Sequence, residues 1–338
     1  MRVFVYEHLT GGGLLLRDDE LAPLAGEGDM MIRALLRDLA EIPGIEPVVL
    51  RDPRLETDLQ ATVLVPRSAG DLWPCFQRAL QMSDAAWPIA PEQDGWLERV
   101  TQAVVDSGRA LLNSSAPAVR LAASKLATSR ALVAAGVAVV PTFARPDEVP
   151  PQAAALVAKP DDGAGCVDTF VLRDRSAPSR WALEHSVYQP LVEGEPRSLC
   201  VLCCDGGARL ISCNRQHIVE ENGKLEFAGV TANALGDDDG SYARLAQAVA
   251  AAIPGLWGHV GIDFIETARG PVVIEVNPRM TTACVGLRAA LGSSVGALVV
   301  GLPDSLLGST LAPAGSGRAV HVRVPRTDAS GSLQRPGQ

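Results

Sequence analysis

Aromatic residues and clusters of positive charge are both scarce in this sequence. Phenylalanine, tryptophan and tyrosine make up only 4% of the residues, and the tryptophans are scattered along the chain. The formal net charge is −9, and lysine and arginine form no basic run. Proteins that bind nucleic acid usually present a basic surface or a series of stacking aromatic side chains. The composition therefore argues against a nucleic-acid-binding protein.

Long apolar runs are also missing. No uninterrupted apolar stretch reaches the roughly 20 residues that a membrane-spanning helix needs. The opening segment Met1–Glu7 is too short and becomes charged too early for a signal peptide. We therefore expect a cytoplasmic protein with no membrane partner.

Seven cysteines leave an odd count, and three of them lie close together. Cys200, Cys203 and Cys204 fall in a strand-like run, in which neighbouring side chains point to opposite faces. That alternation favours buried thiols over a zinc site, and no second cysteine pair has the spacing of metal ligands. Reduced thiols agree with a cytoplasmic location, where disulfides are rare.

The hydrophobic pattern of the first third alternates short strands with helices. Strands are predicted at 3–6, 47–50, 62–65, 85–89 and 110–112, and helices at 30–40 and 92–106. Because strands that alternate with helices form parallel sheets, residues 1–112 are predicted to be a doubly wound, Rossmann-like α/β domain. The capping cluster Asn113–Pro117 then predicts one long helix that runs to about Ala135 and ends before Gly136.

After this helix the pattern changes to strands joined by short turns, an α+β arrangement. Residues 113–188 are predicted to form a small lobe, with strands at 137–143, 155–159, 167–172 and 186–189 and helical residues near 179–184. Residues 189–310 are predicted to form a large lobe, with strands at 199–204, 209–216 and 225–229, a helix at 242–252, and a hairpin of 258–265 and 271–276. The tail, residues 311–338, is rich in proline, glycine and serine and contains one predicted strand at 319–324.

The segment Ile274–Arg279 carries the strongest chemical signal. In a strand, Glu275 and Asn277 point to the same face, and Asp263 in the first strand of the predicted hairpin can face them. Two carboxylates and an amide oxygen are ligands that Mg²⁺ prefers. The alternative is a polar surface hairpin, but the apolar neighbours indicate a core sheet, where a carboxylate needs a partner. Arg279, beside this set, is predicted to meet an anion.

Two further segments have weaker signals. The strand that ends in Lys159 runs into the glycine-rich turn Pro160–Gly165, whose N–H groups can surround a phosphate, although the spacing is not that of a Walker P-loop. A surface hairpin with an Asp-Gly turn is the alternative. The extended segment Tyr188–Glu195 offers backbone groups to a base, but alone it is more typical of an ordinary linker.

Taken in order, these features resemble the ATP-grasp superfamily, which includes biotin carboxylase, carbamoyl phosphate synthetase and D-alanine–D-alanine ligase. A lysine on a helix, Lys125, comes first, followed by Lys159 with its glycine turn, the connector, Asp263 and the segment Ile274–Arg279. The resemblance covers roughly residues 113–307, and a Rossmann-like module before it is typical of the group. It implies a pre-ATP-grasp domain followed by a two-lobed ATP-grasp domain, and an ATP-dependent carboxylate–amine ligase that forms an acyl phosphate.

The resemblance also implies the roles of individual residues. The implied ATP contacts are Lys125 and Lys159 at the phosphates, Gly163 and Gly165 in a flap over them, Gln189, Pro190 and Leu191 at the adenine, and Glu195 or Glu193 at the ribose. Asp263, Glu275 and Asn277 would hold two Mg²⁺ ions, with Glu275 bridging and Mn²⁺ as a substitute. Two positions depart from the pattern. Ser124 stands where an acidic residue is common, and Gly261 where some members place an arginine, so Arg279 and Arg215 are the predicted catalytic cations.

A narrower resemblance is to the ligases that join glutamate to tyramine in the biosynthesis of methanofuran-type cofactors, including methylofuran. The segments that carry it are Val3–Glu7, Thr10–Gly13, Ser212 with Asn214–Gln216, and Gly229–Val230 with Asn233. This resemblance implies glutamate as the acid and tyramine or tyrosine as the amine. Glu7, at the carboxyl edge of the first strand, and Thr282, in a predicted loop at 281–286, are candidate substrate residues, and Arg215 and Arg288 are candidates for the carboxylates of glutamate.

Two other classes of function are alternatives. An ATP-binding regulatory protein without catalysis is disfavoured by the intact set of four residues, Asp263, Glu275, Asn277 and Arg279. A nicotinamide oxidoreductase is disfavoured because the G-x-G-x-x-G pattern would need a glycine at Leu16. The predicted partners are therefore a small-molecule carboxylate and an amine, and the sequence permits a homodimer without requiring one.

Overall fold

The computed structural model describes residues 1–16, 23–174, 185–302 and 314–324. The helical residues predicted near 179–184 lie outside these ranges, as do both ends of the predicted tail. Two β-sheets organise the described part of the chain, one of five strands and one of nine.

The first sheet is parallel throughout. Its strands are β1 (Arg2–Glu7), β2 (Glu46–Leu50), β3 (Thr62–Leu64), β4 (Ala85–Ile89) and β5 (Ala110–Leu111), in the order β3-β2-β1-β4-β5. The helices between them are α1 (Pro23–Ala40), α2 (Ala69–Gln81) and α3 (Trp96–Asp106). The predicted doubly wound parallel sheet is confirmed. Helix α2 was not predicted, because it holds Pro74 in its interior, where proline usually interrupts a helix.

Strand β1 contributes side chains to two hydrophobic cores. Val3 and Val5 belong to the core that contains α1, whereas Phe4 and Tyr6 belong to the core that contains Phe76 of α2. Alternation of side chains along a strand produces this division. The first of these cores also contains residues of the second sheet and its helices, so the two sheets are joined by a shared apolar interior.

The second sheet is antiparallel. Its strands are β6 (Leu156–Pro160), β7 (Phe170–Leu172), β8 (Ser186–Pro190), β9 (Glu195–Cys204), β10 (Gly207–Glu221), β11 (Lys224–Leu235), β12 (Gly258–Thr267), β13 (Gly270–Asn277) and β14 (Val320–Arg323). They follow the order β13-β12-β9-β10-β11-β7-β6-β8, and β14 pairs with β11. The predicted strand in the tail is therefore present, and the lobe boundary predicted after residue 188 falls inside β8.

Five helices accompany this sheet: α4 (Ala116–Ala123), α5 (Lys125–Ala134), α6 (Ser241–Ala252), α7 (Cys284–Leu291) and α8 (Val295–Val300). The prediction of a single helix up to Ala135 is wrong, because Ser124 is extended (φ −88°, ψ 113°) and separates α4 from α5. The predicted loop at 281–286 is also wrong from Cys284 onward, where α7 begins. Among the described helices, none is long and apolar enough to cross a lipid bilayer.

The segment 137–143, which was predicted to be a strand, is not one. It forms only two isolated bridges, from Val139 to Val273 and from Phe143 to Tyr188. Pro141 lies between them and has no N–H to donate, so a continuous ladder cannot form.

Candidate active site

A cleft of about 310 Å³ lies along the second sheet. Its volume is within the range of small-molecule pockets. Twelve of the predicted site residues line it: Lys125, Lys159, Gly163, Gly165, Gln189, Pro190, Leu191, Asp263, Glu275, Asn277, Arg279 and Thr282. The fold thus brings together side chains and backbone that are up to 157 positions apart, from Lys125 to Thr282.

The two lysines reach the cleft from different elements, and Asp161 joins those elements. Lys159 is on β6, and Asp161 follows it by two residues. The Asp161 carboxylate accepts hydrogen bonds from the Ser124 hydroxyl (2.6 Å) and from the backbone N–H of Leu126 (2.9 Å). These bonds hold the first turn of α5, whose first residue is Lys125. Asp161 therefore places an acidic side chain against Ser124, at the start of α5.

Both lysine ammonium groups are buried and face the same carboxylate. Lys125 Nζ lies 3.4 Å from Glu275 Oε2, and Lys159 Nζ lies 4.0 Å from the same oxygen. Lys125 Nζ also donates to the carbonyl oxygens of Asp161 (3.2 Å) and Gly163 (2.5 Å). Burial lowers the pKa of Lys159 to about 8, against the opposing effect of Glu275.

The predicted acidic set is assembled by the hairpin of β12 and β13. Asp263 pairs directly with Glu275, and Gly261 pairs with Asn277. Asn277 Nδ2 donates to one Asp263 oxygen (3.1 Å), and Gln216 Nε2 donates to the other (2.9 Å). The predicted common face is thus present, and Gln216 is an addition to it.

Gly261, where some ATP-grasp proteins place an arginine, has no room for a side chain here. A Cβ atom on Gly261 would lie 2.6 Å from Thr281 Cγ2. The methyl group of Thr281 therefore fills the space, which leaves Arg279 as the arginine of the cleft lining among the described residues.

The paired carboxylates do not ionise alike. Burial, followed by repulsion from Glu275, raises the pKa of Asp263 well above its usual value. Burial also acts to raise the pKa of Glu275, but Lys125 and Lys159 outweigh it and the pKa is lowered. A divalent cation between the two groups would allow both to ionise, which is the electrostatic condition of a metal site.

The glycine-rich turn borders the cleft above the lysines. Gly163, Gly165 and Cys166 all line it. Gly165 (φ 65°) and Cys166 (φ 60°) both have left-handed backbone conformations, which turn the chain sharply. Cys166 was not among the predicted residues; burial raises the pKa of its thiol to about 12.

The connector forms the far wall. Gln189 Nε2 donates to Thr142 Oγ1 (2.9 Å), and the backbone N–H of Leu191 donates to the carbonyl of Ala155 (2.9 Å). Apolar side chains from several strands also line the cleft: Val140, Val157, Ile218, Leu225, Phe227, Ile265 and Ile274. An apolar slot beside a strand edge suits a flat base with polar edges.

Glu195 and Glu193, the two candidates for a ribose contact, have different surroundings. The carboxylate of Glu195 is held by Arg197 (2.5 Å) and Arg215 (2.6 Å), and hydrogen bonding from Arg197 lowers its pKa. Glu193 is exposed and adjoins Val192, which lines the cleft. Glu195 itself is not part of the lining.

Arg279 is held by a residue of the first domain. Its Nε and Nη2 atoms donate to the two oxygens of Glu92, at 2.9 and 3.0 Å. Glu92 is buried and precedes α3 by four positions. The sequence contained no signal for this pair, because 187 positions separate its members.

The sequence carries no signal for Glu27 either. It lies on α1, lines the cleft, and accepts a hydrogen bond from the hydroxyl of Thr282. Burial raises the pKa of Glu27. The predicted substrate residue Glu7 does not line the cleft: it is buried behind α1 against Gly28, and its carboxylate accepts hydrogen bonds from Thr10 Oγ1 (2.6 Å) and Thr10 N (2.7 Å).

Two predicted arginines lie elsewhere. The side chain of Arg215 is 46% exposed, pairs with Glu195, and does not line the cleft. Arg288 pairs with Asp38 (3.1 Å) and with Glu41, and so ties α7 to α1. The structure therefore does not bring either arginine to the acidic set.

Comparison with known proteins recognises two domains in the chain. Residues 122–283 match the ATP-grasp domain, and residues 45–119 match the pre ATP-grasp 3 domain. Over 268 residues the chain is 26% identical to tyramine–L-glutamate ligase of Methanocaldococcus jannaschii, a match that covers 78% of each protein.

Solved structures share the fold. An ATP-grasp superfamily protein from Archaeoglobus fulgidus superposes with a TM-score of 0.73 at 23% identity, covering 96% of this chain and 92% of that one. The biotin carboxylase domain of Hydrogenobacter thermophilus 2-oxoglutarate carboxylase, a dimer in complex with MgADP, ADP and bicarbonate, superposes with a TM-score of 0.66 at 15% identity, covering 92% and 71%.

Proposed function

This chain belongs to the ATP-grasp superfamily, and we propose that it is a ligase that activates a carboxylate with ATP and joins it to an amine. The observation that carries the proposal is the arrangement of charged side chains in the cleft. Two buried lysines lie 3.4 and 4.0 Å from Glu275, and Asp263 pairs with Glu275 across the hairpin. Such an arrangement suits a polyphosphate together with its metal.

The proposed nucleotide runs along the cleft, from the segment Gln189–Leu191 to the two lysines. In the proposed orientation the adenine lies against the apolar wall beside Gln189–Leu191, and the phosphates lie at Lys125 and Lys159 under Gly163–Gly165. We assign the ribose to Glu193, because the carboxylate of Glu195 is already held by two arginines.

The acidic set fits Mg²⁺. Asp263, Glu275 and Asn277 would hold two ions, because they offer oxygen ligands on one face of the hairpin and because burial and the paired Glu275 raise the pKa of Asp263, a shift that a bound cation would oppose. When bound, the ions neutralise the negative charge that develops on the transferred phosphate. Mn²⁺, which accepts the same ligands, is the proposed substitute.

The proposed reaction has two steps. A carboxylate oxygen of the acid attacks the γ-phosphorus, and the bond from that phosphorus to ADP breaks, so that an acyl phosphate forms. The amine nitrogen then attacks the acyl carbon, loses its proton and displaces phosphate. Arg279, held rigidly by Glu92, faces the site where the oxyanion and the leaving phosphate carry their charge.

Glutamate is the proposed acid, and tyramine or tyrosine the proposed amine, in a cytoplasmic pathway to a methylofuran-type cofactor. The name of the relative from Methanocaldococcus jannaschii supports this choice. Glu27 and Thr282 supply a half-buried carboxyl group and a hydroxyl to the cleft lining, and Glu27 interacts electrostatically with Arg279. We assign the substrate ammonium to Glu27 rather than to Glu7, which lies outside the lining.

The test is a measurement of ADP release with defined substrate pairs. Glutamate with tyramine or tyrosine is expected to release ADP faster than glutamate with alanine or ammonia. If the small amines perform as well, the carboxylate–amine ligase proposal stands but the aromatic amine is wrong. ATP binding without ADP release for any pair would instead indicate a regulatory nucleotide-binding protein.

A further inference from the structure

Three metal-ligating side chains converge in the core behind the cleft. Cys200 on β9, His259 on β12 and Cys284 at the start of α7 place their sulfur and nitrogen atoms within 4.8 Å of one another. All three are buried, with exposures of 0%, 1% and 4%. We call this group the Cys–His–Cys cluster.

The cluster is not the group of cysteines that lies close together in the sequence. Cys203 faces the opposite core from Cys200, as the alternation of a strand requires. Cys200 instead meets residues that are 59 and 84 positions away in the chain. The prediction of buried thiols is correct for Cys200 and Cys203, but local spacing could not reveal the partners of Cys200.

The imidazole of His259 is oriented for ligation. Its Nδ1 lies 3.1 Å from the carbonyl oxygen of Arg279, which can only accept, so Nδ1 carries the proton. The lone pair of Nε2 then points toward Cys284 Sγ, 2.9 Å away. A histidine whose second nitrogen is held by a carbonyl is the usual form of a metal-bound imidazole.

We propose that the Cys–His–Cys cluster binds a thiophilic divalent ion, with Zn²⁺ as the expected occupant. Two thiolates and one neutral imidazole balance the charge of a divalent ion, which lowers the cost of burying it. Binding displaces the two thiol protons. Soft sulfur ligands select zinc over magnesium, so this ion is separate from the oxygen-bound ions at Asp263 and Glu275.

The surroundings support a ligand role for Cys200. Asn214 Nδ2 donates toward Cys200 Sγ at 3.4 Å, and the Ser212 hydroxyl donates to Asn214 Oδ1 at 2.8 Å. Donors of this kind stabilise a metal-bound thiolate.

The position of the cluster indicates that a bound ion would stabilise the segment Arg279–Cys284. His259 holds the carbonyl of Arg279, and Cys284 ends the segment that carries Thr281 and Thr282 into the cleft. An ion at the cluster would fix both ends of this segment. The catalytic arginine and the substrate hydroxyl would then be positioned from behind.

The experiment measures metal directly. The full chain, purified without metal-affinity chromatography, is expected to contain about one zinc ion per molecule by mass spectrometry. Cys200→Ser and Cys284→Ser should each lower that content at least about tenfold. Cys203→Ser is the matched control, because Cys203 is buried on the same strand but lies outside the cluster, and it should keep its zinc.

Cobalt supplies a second readout that does not depend on the variants folding. Metal-free wild-type protein titrated with Co²⁺ should develop a thiolate-to-metal charge-transfer band and the intense visible bands of a low-coordinate Co²⁺ site. Absence of zinc together with absence of these bands would overturn the proposal and leave hydrogen-bonded thiols. A Cys200–Cys284 disulfide formed by oxidant in a protein that binds no metal would overturn it in favour of a redox pair. Neither outcome depends on ADP release, so the ligase proposal is tested separately.

Discussion

Glu275 faces two ammonium groups and a second carboxylate at the same time. Lys125 and Lys159 lower its pKa, whereas its own charge helps to raise that of Asp263. Removal of this one charge therefore leaves two buried cations unbalanced and takes a shared oxygen ligand from the proposed metal site. The residue also keeps its side chain in the cleft without a role in the apolar core.

Glu275→Gln, which preserves the size of the side chain, is expected to lower ADP release about 100-fold or more while circular dichroism stays native. Asn277→Ala should be milder, because it removes one neutral oxygen. Glu266→Gln is the control, since Glu266 lies on the same hairpin but pairs with Arg197 outside the lining. A near-native rate for Glu275→Gln at saturating Mg²⁺ would contradict the metal assignment.

Arg279→Lys tests the proposed anion stabilisation. Lysine cannot reproduce the two parallel bonds to Glu92, at 2.9 and 3.0 Å, so the cation would lose its fixed direction. We expect the activation barrier to rise by about 2.7–4 kcal/mol, so that turnover falls, with a smaller change in KM for ATP. Steady-state kinetics decide this, with exposed Arg269→Lys as the control. An effect confined to KM for ATP would make Arg279 a nucleotide-binding residue.

At the scale of elements, the hairpin was predictable and the helix break was not. Asp263, Glu275 and Asn277 share a face because strand side chains alternate and a short turn sets the pairing, both of which are local properties. The break at Ser124 depends on Asp161, which lies 37 positions away on another element. Local helix propensity cannot report such a partner.

Ser124→Ala tests that junction. The Ser124 hydroxyl accepts from the backbone N–H of Ala127 (3.0 Å) and caps α5, so its loss should cost about 1 kcal/mol of unfolding free energy. Because Lys125 begins the same helix, KM for ATP should also rise. The control is Ser115→Ala, which removes the cap of α4 at Ala118 N. Urea unfolding should show a lower free energy of unfolding for both variants, whereas KM for ATP should rise only for Ser124→Ala. If KM for ATP were equal in the two variants, the cap of α5 would have no part in positioning Lys125.

At the scale of the whole molecule, the first domain supplies part of the candidate active site. It contributes Glu27 from α1 and Glu92 from the segment before α3, which contact Thr282 and Arg279. Neither acid stands in a recognisable spacing, and 255 and 187 positions separate them from their partners. The architecture of each domain was predictable from the sequence. The side chains that meet between the domains were not, because they depend on how the two sheets pack together.

Glu27→Gln tests this contribution. If Glu27 receives the ammonium group of a substrate, KM for the substrate that carries this group should rise about tenfold or more, because a charge-assisted hydrogen bond is lost. KM for ATP should stay unchanged, since Glu27 is proposed to contact the substrate rather than the nucleotide. Glu41→Gln is the control, because Glu41 follows the same helix but pairs with Arg288. An equal rise in KM for ATP would contradict the assignment.

In the proposed reaction, a carboxylate oxygen becomes bonded to the γ-phosphorus before the amide forms. Turnover with an acid substrate labelled with ¹⁸O in its carboxylate tests it, with the released phosphate examined by mass spectrometry and the nucleotide identified by chromatography. We predict ADP as the nucleotide product and one labelled oxygen in the phosphate, because the acyl phosphate breaks between carbon and that oxygen. Label recovered in AMP, or phosphate without label, would contradict an acyl-phosphate intermediate.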